Sequence, residues 1–429
     1  MKSARQLAFE VLRKVIREQS YSNLAVNSVL QQNHLSSEER SFFTALVYGT
    51  IERKITLDYE LSLYLKQPLR KLNPKVYAVL LLGAYQVLFM DKIPNHAAVN
   101  ESVKLTRKNG VSYASGLVNA VLHKIAADGL KLPSEEDHLR FLSVKYSCPE
   151  HLISLWIQSY GEEAAKGILE YSLGAEPVVI RVNTIKTTSA ELKQLFSQRG
   201  ISSHAHPLIG DALVLDHAPA LESLDLFQNG YFHVQDASSQ LCCAVLDPKP
   251  GETVYDVCAA PGGKSFTLAE RMNDEGAVYS YDLYNQRTQL IADGAARLGL
   301  QSVHARQGDA SVYQKDRKPA DCVLCDVPCS GLGIIGRKPE IRYKDPAEID
   351  NLPALQYDIL CISARYCRPG GRLVYSTCSL NPAENESVVA RFLAEHSGYH
   401  LIQSRTLLPG EDHCDGFFIS LIERLEESH

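Results

Sequence analysis

The chain has 429 residues, of which 45% are hydrophobic and 22% are charged, so it can bury a sizeable core and is long enough for two or three domains of roughly 150 residues each. No apolar run is long enough to span a bilayer, and the first residues, MKSARQLAFEVLRKVIREQ, form an amphipathic helical pattern unlike a signal peptide. These features exclude a membrane-spanning or secreted chain, and we expect a globular cytoplasmic protein.

The net charge of −6 hides an asymmetry between the two ends of the chain. Residues 1–140 carry 19 Lys and Arg against 13 Asp and Glu, a net of +6, which leaves 25 against 37, a net of −12, for the rest. A basic front weakly indicates a nucleic-acid partner, although a solvated helical surface gives the same count about as often. The candidate phosphate contacts, several of which could equally be surface charge, are Arg13, Lys14, Arg17, Arg53 and Lys54.

Residues 1–140 are predicted to form an all-α domain. Apolar residues recur at spacings of four along the first helix, as in Leu7, Val11 and Val15. The segment PKVYAVLLLGAYQVLFM is apolar almost all round, which predicts the central helix of a bundle.

Residues 145–235 are predicted to contain a linker helix and a small α+β unit. In SCPEHLISLWIQSYG, Ser147 and Glu150 are expected to form a capping box, with Pro149 in the first turn. PVVIRVNT, DALVLD and GYFHVQD are then predicted strands, and SAELKQLFSQRG is a predicted helix that ends at Gly200.

Residues 236–429 show strands that alternate with helices. The predicted strands are ETVYDVCA, GAVYSYDL, SVHARQGDA, DCVLCDVP and GRLVYST. This alternation predicts an α/β fold with a parallel, doubly wound sheet of the Rossmann-like type. YHLIQSRTLLPG and GFFISLIERL predict an antiparallel edge.

Ligands of such a sheet bind outside the carboxyl ends of its strands, and this rule locates a candidate cofactor site. The first strand runs into CAAPGGKS, where Gly262 and Gly263 allow the backbone to approach a ligand closely. Asp282 ends the second strand, where a carboxylate can bind ribose hydroxyls. Asp309 closes the third strand and is a candidate for binding the edge of an adenine.

Two other nucleotide-binding patterns do not fit this turn. A dinucleotide fingerprint needs Gly-x-Gly-x-x-Gly, and a phosphate-binding P-loop needs a glycine where this chain has Cys258. A glycine-rich turn without a phosphate cradle, followed by an acidic residue, favours S-adenosylmethionine. Each acid taken alone could be a helix N-cap or a solvated strand end, but together, in strand order, they favour a cofactor site. The predicted cofactor-binding residues are Cys258, Ala259, Ala260, Pro261, Gly262, Gly263, Lys264, Asp282, Asp309 and Asp326.

Two further segments, DVPCSGLG and VYSTCSLNPAENE, each place a cysteine after a predicted strand. With CAAPGGKS they resemble the RNA (cytosine-5) methyltransferases, and the whole chain resembles the bacterial Fmu/Sun-type small-subunit ribosomal RNA enzymes. ERSFFTALVYGTIERKITLDYEL and PNHAAVNESVKL resemble the NusB-like RNA-binding domain of that family, and the middle unit is similar to its RRM-like extension. The chain departs from the family at Tyr343, where many members carry tryptophan, on the expected RNA-contact face.

The resemblance implies methylation of carbon 5 of one cytosine in 16S rRNA, conventionally cytosine 967. Because conjugation makes carbon 5 a poor nucleophile, a thiolate must first add to carbon 6. The resemblance assigns this task to Cys378 and assigns release of the methylated RNA to Cys329, which could accept the carbon 5 proton or assist elimination. Asp326 would be the acid or hydrogen-bond partner of the base. Lys264 could provide the positive field that a thiolate needs, or it could be a solvated charge at its helix start.

Alternative interpretations remain at this point. Cys322 and Cys325 form Cys-x-x-Cys, but residues three apart on a strand face opposite sides, so we expect no zinc site. The chain could carry out the same chemistry on transfer RNA, or it could be a non-catalytic NusB-like RNA-binding or antitermination factor. We expect a monomer that acts on 16S rRNA before full assembly of the subunit, on a flipped-out or looped cytosine, because a stacked base hides carbon 6.

The eleven cysteines are an odd number and lie mostly in apolar segments such as LCCAVL. This pattern favours reduced thiols over a disulfide framework, and we expect most of them to be small buried side chains.

Overall fold

The computed structural model describes residues 2–18, 22–174, 177–216 and 220–426. The chain divides into two units: the first unit comprises Met1–Gly174 and Ile335–Lys344, and the second unit comprises Ala175–Ile334 and Asp345–His429. The division into three domains at residues 1–140, 145–235 and 236–429 stays a prediction. None of the described helices is both long and apolar enough to cross a membrane.

The first unit is built from α-helices, as the sequence predicts for the front of the chain. They are α1 (Ala4–Glu18), α2 (Ser22–Gln32), α3 (Ser37–Glu52), α4 (Lys54–Tyr64), α5 (Pro74–Phe89), α6 (Asn95–Lys108), α7 (Ser115–Asp128), α8 (His138–Tyr146), α9 (Glu150–Tyr160) and α10 (Glu162–Tyr171). The apolar stripe of α1 lies in the core, where Leu7, Val11 and Val15 are buried. Helix α5 is the central helix, since it contacts α1, α3, α4, α6 and α7. The apolar patterns of both helices therefore predicted their positions correctly.

The predicted capping box of Ser147 is wrong. Ser147 ends α8 in the left-handed conformation, with a φ of 52°, and its hydroxyl accepts a hydrogen bond from the backbone nitrogen of Ile55 at 3.0 Å. Helix α9 begins at Glu150, and Pro149 precedes it with an extended ψ of 138° and no side-chain cap. The serine is therefore used to end one helix and bind the start of α4, and is not available to cap the next.

The segment Ile335–Lys344 belongs to the first unit, although its neighbours in the chain belong to the second. Its anchor is Arg342, which is 1% exposed. The Arg342 guanidinium donates to the carbonyl oxygens of Ser147 at 2.9 Å, Ser172 at 3.1 Å and Glu52 at 3.3 Å. A guanidinium presents five donors in a fixed fork, and a buried charge is stable only when such bonds are made. Docking of the segment therefore depends on this side chain.

Tyr343 and Glu340 also hold this segment. The Tyr343 hydroxyl donates to the carbonyl oxygen of Ile51 at 2.9 Å, and burial raises the pKa of Tyr343 to about 12. The Glu340 carboxylate accepts from the backbone nitrogen of Ser22 at 3.0 Å and from its hydroxyl at 2.7 Å. Tyr343, where the sequence departs from the family that it resembles, is thus a hydrogen-bonding and packing residue of the first unit.

The second unit contains a small antiparallel sheet. Its elements are β1 (Val178–Val182), α11 (Ser189–Gln198), β2 (Ser203–Ala205), β3 (Ala212–Leu215), α12 (Asp225–Gln228) and β4 (Phe232–Val234). The strand order is β2-β3-β1-β4. A capping box of Thr188 and Glu191 begins α11, and Gly200 follows its end with a φ of +71°. The predicted α+β unit is confirmed, whereas β2 was missed because its three residues show no apolar alternation.

The second unit also contains a large sheet with helices on both faces. Its elements are α13 (Ala237–Leu246), β5 (Thr253–Asp256), α14 (Gly263–Arg271), β6 (Ala277–Asp282), α15 (Asn285–Leu298), β7 (Val303–Gln307), β8 (Ala320–Asp326), α16 (Pro346–Asp350), α17 (Leu352–Ala364), β9 (Cys367–Thr377), α18 (Glu386–Glu395), β10 (Tyr399–Leu407) and β11 (Phe417–Arg424). The strand order is β10-β11-β9-β8-β5-β6-β7, with β5 to β9 parallel and with β11 antiparallel to both β9 and β10.

This topology confirms the predicted doubly wound sheet and its antiparallel pair. Of the antiparallel pair, β10 is the edge strand and β11 lies between β10 and β9. The chain reverses its direction of winding between β5 and β8, which are neighbours in the sheet. Sheets of this type bind ligands at such a reversal, outside the carboxyl ends of the strands.

Both faces of the small sheet are covered. On one face, Ile180 and Val182 of β1 pack with Phe196 of α11. On the other face, Val179 and Val214 belong to the hydrophobic core of the large sheet. The two sheets of the second unit therefore share a core.

A buried ion pair joins the small sheet to α14, a helix that packs on the large sheet. Nε of Arg181 on β1 lies 2.9 Å from Oε2 of Glu270 on α14, with 3% and 0% of the two side chains exposed. Burial raises the pKa of Glu270 to about 7, although Arg181 partly offsets that effect.

Replacing Arg342 by alanine should lower the free energy of unfolding of the first unit by about 3 kcal/mol, because buried carbonyl groups lose a charged donor. Urea denaturation followed by circular dichroism measures the change. Lys338→Ala removes a half-buried cation from the same segment and should change stability by less than about 1 kcal/mol. Equal stability of Arg342→Ala and the wild-type protein would show that this side chain does not hold the segment.

Candidate active site

Two half-buried thiols lie at the carboxyl ends of adjacent strands. Cys329 follows the end of β8 by three residues, and Cys378 directly follows β9. Because β8 and β9 pair in parallel, their carboxyl ends open on the same edge of the sheet. The two sulfur atoms lie 2.9 Å apart. The structure thus brings together the two cysteines that the sequence singled out.

Close backbone contacts fix the loop after Cys329. The backbone nitrogen of Gly333 donates to the carbonyl oxygen of Cys378 at 2.9 Å, and the backbone nitrogen of Gly416 donates to the carbonyl oxygen of Gly333 at 2.9 Å. A Cβ atom on Gly333 would lie 1.9 Å from the carbonyl oxygen of Gly416. Gly333, the second glycine of CSGLG, is therefore required by this close approach.

The contact between the sulfurs affects the ionisation of Cys329. Its hydrogen bond with Cys378 and its burial, together with the charges of Glu384 and Asp326, raise the pKa of Cys329 well above the usual range for a thiol. Cys329 therefore keeps its proton at neutral pH and can donate it to the sulfur of Cys378. Either sulfur can be the donor in this contact, and the raised pKa favours Cys329.

Asp326, at the end of β8, is bound by two groups. Its Oδ2 lies 2.8 Å from Nζ of Lys264, and its Oδ1 accepts from the Ser376 hydroxyl at 2.9 Å. Burial alone would lower the pKa of Lys264, but the charge of Asp326 raises it above its usual value, so Lys264 is cationic. Only 15% of the Lys264 side chain is exposed, so its interpretation as a solvated charge is wrong.

The predicted cofactor turn lies between β5 and α14. The backbone nitrogen of Ala259 donates to the carbonyl oxygen of Tyr281 at 2.7 Å, which ties the turn to β6. Gly262 has a φ of +112°, and a Cβ atom there would lie 2.4 Å from the ring of Phe266. Gly262 is thus required by the fold itself, whereas a Cβ atom on Gly263 would make only ordinary contact with Gln235, at 3.6 Å.

The other residues of this turn are partly accessible. Cys258 and Ala260 are half-buried and Pro261 is exposed, and burial raises the pKa of Cys258 well above the usual thiol range. The carbonyl oxygen of Ala260 accepts from Nη2 of Arg287 at 2.9 Å. The turn therefore presents both backbone and side-chain surface at the edge of the sheet.

The two predicted acidic residues follow the next strands. Asp282, at the end of β6, is 4% exposed, and its Oδ2 lies 3.2 Å from Arg287. Asp309 comes two residues after β7, and its Oδ1 accepts from the backbone nitrogen of Ser311 at 2.8 Å and from the Ser311 hydroxyl at 2.6 Å. Neither acid caps a helix: the residue before α15 is Tyr284, without a side-chain cap, and Asp309 closes a local turn.

Sequence reasoning missed two buried carboxylates near this edge. Asp256 ends β5 and is 1% exposed; its Oδ2 accepts from the Ser265 hydroxyl at 2.7 Å, and its Oδ1 has no hydrogen-bond partner among the described residues. Burial raises the pKa of Asp256 to about 7. Glu384 is 0% exposed and lies between the two cysteine loops. Two features of the sequence could have indicated these residues. Asp256 is an acidic residue at the end of an apolar strand, and Glu384 lies six residues after Cys378.

The predicted RNA contacts of the first unit fall into two groups. Arg53 and Lys54 are half-buried in ion pairs, with Glu52 at 3.5 Å and with Asp58 at 2.7 Å. Arg13 lines a cavity of about 240 Å³ together with Lys75 and Tyr77, and Lys14 is exposed. The side chain of Arg17 lies outside the described residues. Arg13 and Lys14 therefore remain the better candidates for phosphate contact.

The cysteines are mostly buried, as the sequence predicted. All eleven are thiols rather than disulfide partners, and seven of them are buried. Cys322 and Cys325 face opposite sides of β8, since each belongs to a different hydrophobic core. In the described part of the chain, no group of three or more His, Cys, Asp or Glu side chains is arranged to hold a metal ion.

Three parts of the chain match protein families. Residues 243–423 match the family described as 16S rRNA methyltransferase RsmB/F, residues 2–127 match the NusB family, and residues 148–222 match the ferredoxin-like domain of RsmF/B-like methyltransferases. The probable ribosomal RNA small subunit methyltransferase B of Bacillus subtilis is 39% identical over 92% of this chain and 89% of its own length. The chain belongs to the ribosomal RNA small subunit methyltransferase B family. Its relative of the same description in Synechocystis is 37% identical over 99% of this chain and 100% of its own length.

Solved structures agree with this family membership. The crystal structure of PH0851 superposes with a TM-score of 0.83 at 26% identity, over 99% of both chains. A methyltransferase homologue from Pyrococcus horikoshii gives a TM-score of 0.61 at 28% identity, over 67% of this chain and 99% of its own. The predicted family and the predicted fold, an all-α NusB domain, a small ferredoxin-like domain and a Rossmann-like methyltransferase domain, are both confirmed.

Replacing Asp256 by asparagine should flatten the pH dependence of stability. A carboxyl group whose pKa is about 7 in the folded protein, against about 3.9 in an unfolded chain, contributes stability that is fully present below pH ~4 and is lost as the pH rises through 7. The wild-type protein should lose on the order of 2 kcal/mol between pH 5 and pH 8 from this group. Thermal melts across this range measure it, and parallel curves for Asp256→Asn and wild-type would contradict it.

Proposed function

We propose that this protein methylates carbon 5 of a cytosine in 16S rRNA with S-adenosylmethionine, through a covalent bond between Cys378 and carbon 6 of the base. By family the target is cytosine 967. The observation that carries the proposal is the pair of sulfur atoms 2.9 Å apart at the carboxyl ends of β8 and β9, beside the ion pair of Asp326 and Lys264. This is a thiol pair with an adjacent charged hydrogen-bonding group, at the edge where such sheets bind ligands.

The residues around the turn fit S-adenosylmethionine. The N-terminus of α14 at Gly263 has no side-chain cap, so its first amide groups can bind the carboxylate of the methionine part. Asp282 offers a carboxylate for the ribose hydroxyls, and Asp309 lies at the end of the next strand, where an adenine edge could bind. When bound, this cofactor supplies an electrophilic methyl group on a cationic sulfur.

Cys378 carries out the first covalent step. Its thiolate adds to carbon 6 of the cytosine, which breaks the conjugation of the ring and moves electron density onto carbon 5. The two sulfurs lie 2.9 Å apart, so an S–H on Cys329 would donate to the Cys378 thiolate and stabilise it before attack.

Asp326 assists from the side of the base. As the thiolate adds, negative charge moves into the ring at carbon 5 and N3. The Asp326 carboxylate accepts a hydrogen bond from the exocyclic amine and so orients the base, while the cationic Lys264 beside it offsets the developing charge and lowers the barrier. Lys264 and Ser376 fix the orientation of the carboxylate through their bonds of 2.8 and 2.9 Å. A rigid, already bonded acceptor needs no reorganisation during the step.

Cys329 completes the reaction by moving a proton between the base and Cys378. As the bond between Cys378 and carbon 6 breaks, the S–H of Cys329 passes its proton to the departing sulfur, and the resulting Cys329 thiolate accepts the proton of carbon 5. The double bond between carbons 5 and 6 is restored, both sulfurs carry one proton, and Cys378 then loses its proton to solvent for the next cycle. The raised pKa of Cys329 supports this order, because the thiol holds its proton until Cys378 leaves.

The substrate follows from the names of the relatives, which are small-subunit ribosomal RNA methyltransferases. The cytosine must be flipped out or looped, because carbon 6 is attacked from the face of the ring. We also propose that the protein acts as a monomer in the cytoplasm, on 16S rRNA before the subunit is fully assembled. Arg13 and Lys14 of α1 are the proposed phosphate contacts.

Cells that lack this protein should lose 5-methylcytosine at one position of 16S rRNA, and the wild-type gene should restore it. Cys378→Ala should fail to restore it, because no thiolate remains to activate carbon 5. Bisulfite sequencing of 16S rRNA measures both outcomes, with Cys361→Ala, a half-buried cysteine of α17, as the matched control. Restoration by Cys378→Ala would reject its role as nucleophile, and an unchanged 16S rRNA in the deletion strain would reject the substrate.

Cys329→Ala should accumulate a covalent complex between protein and RNA, because the adduct on Cys378 forms but is released slowly. Purified protein, 16S rRNA and S-adenosylmethionine are incubated and separated on a denaturing gel, where the complex migrates as a protease-sensitive shifted band. The double variant Cys329→Ala/Cys378→Ala should give no such band. A shifted band in the double variant, or its absence in the single variant, would remove the release role.

A further inference from the structure

A buried carboxylate lies between the loops that carry the two cysteines. Glu384 is 0% exposed and ends the short 3₁₀ helix Pro382–Glu384. Asn381 caps this helix through its side chain, and the Tyr375 hydroxyl on β9 donates to the carbonyl oxygen of Glu384 at 2.6 Å. The backbone of Glu384 is therefore fixed before its side chain makes any contact.

Four donors surround the Glu384 carboxylate. Oε1 accepts from the hydroxyls of Ser330 at 2.6 Å and Ser379 at 2.7 Å. Oε2 accepts from the backbone nitrogen of Ser330 at 2.8 Å and from Nε2 of Gln356 at 3.0 Å. An ionised carboxylate has about four acceptor sites, and bonds to a charged acceptor are the stronger kind. We call this group, Glu384 with Ser330, Ser379 and Gln356, the Glu384 clasp.

The Glu384 clasp binds residues that are next to each cysteine in the chain. Each cysteine is followed by a serine, Ser330 after Cys329 and Ser379 after Cys378, and both serines bind the same carboxylate. Gln356 also donates to the carbonyl oxygen of Pro328 at 3.0 Å. The clasp therefore binds the chain on both sides of Cys329, but on only one side of Cys378.

Cys378 has further support that does not depend on Glu384. The Thr377 hydroxyl donates to Oδ1 of Asn385 at 2.5 Å, and Nδ2 of Asn385 donates to the carbonyl oxygen of Ser379 at 2.9 Å. Loss of the Glu384 carboxylate should therefore displace Cys329 more than Cys378.

We propose that Glu384 is a positioning residue that holds the thiol of Cys329 against the sulfur of Cys378, and that release of the methylated RNA depends on this contact. The inference rests on the proposed roles of the two cysteines. Weakening the clasp should leave the covalent addition by Cys378 largely intact and slow the release step. It should therefore resemble a partial loss of Cys329, not a loss of Cys378.

Glu384→Gln keeps the shape of the side chain but removes its charge and places an amide against two donors. This variant should lower kcat by about tenfold to a hundredfold, the range expected for a displacement of a reacting group by about 1 Å, with little change in KM for RNA. It should also accumulate the covalent complex on denaturing gels. Glu386→Gln, which changes an exposed carboxylate two residues away, is the matched control and should behave as the wild-type protein.

A second pair of variants does not require Glu384 to be altered. Ser330→Ala removes one donor from the Cys329 loop, and Ser379→Ala removes one from the Cys378 loop. Ser330→Ala should accumulate more covalent complex than Ser379→Ala, because the clasp supports Cys329 more than Cys378. Equal accumulation in the two variants would contradict the inference even if Glu384→Gln fails to fold.

The distance between the sulfurs can be tested without RNA. Phenylarsine oxide condenses with two adjacent thiols to form one As–S bond to each, with loss of one water, and mass spectrometry of the folded protein locates the product. The wild-type protein should form the arsenic bridge between Cys329 and Cys378, and Glu384→Gln should form it several-fold more slowly at an unchanged melting temperature. An unchanged rate would overturn the positioning role.

These readouts separate failure of the inference from failure of the proposed function. If Cys329→Ala accumulates the complex and Glu384→Gln does not, the inference is wrong while the proposed function stands. If Cys329→Ala gives no complex, the release role is wrong, and the arsenic bridge still decides whether Glu384 holds the sulfurs together.

Discussion

The site depends on the parallel pairing of β8 with β9. Their register places Asp326 opposite Ser376, and the hydroxyl of that serine binds the carboxylate of that aspartate. Cys329 lies three residues after Asp326, and Cys378 lies two residues after Ser376. The register of the two strands therefore also decides which residues meet at the sheet edge. Since side chains alternate between the faces of a strand, a slip of one residue would move Asp326 and Ser376 to opposite faces. The strand pairing therefore sets where the two cysteine loops begin, and the loop contacts then fix the thiols.

Buried charges in the second unit are paired with opposite charges or hydrogen-bond donors, although two of the carboxylates each keep one oxygen without a hydrogen-bond partner among the described residues. Lys264 is paired with Asp326, Arg181 with Glu270, and Glu384 with four donors. Such pairing offsets the cost of removing a charge from water. The two oxygens are Oδ1 of Asp256 and Oε1 of Glu270, and burial raises the pKa of each carboxyl group to about 7. Asp256 differs from Glu270 in that no cation in the described part of the chain is bonded to its carboxylate. A carboxyl group kept close to neutrality beneath the cofactor turn is a property of the site that fold alone does not require.

The sequence predicted the elements that have strong periodicity and the residues that lie at strand ends. It therefore located the N-terminal helices, the parallel strands, the glycine-rich turn between β5 and α14, and both cysteines. Ser147 was wrongly predicted to cap the start of α9. A serine can lie at either end of a helix, and here its hydroxyl accepts a hydrogen bond from the backbone of Ile55, which is distant in sequence. Glu384 was missed because its four donors come from three separate segments, and Arg342 was missed because its acceptors are main-chain carbonyls, which carry no sequence signal.

The small sheet of the second unit has a consequence for how the family's extension can work. Domains of related topology read single-stranded RNA by stacking bases on aromatic side chains displayed across an open sheet surface. Here Val179 and Val214 lie in the core on that side and Arg181 is ion-paired beneath it, so the described residues of this sheet leave no open platform for stacking. This face of the small sheet therefore packs against the large sheet. Any nucleotide that the small sheet binds must contact its loops or its edge strands.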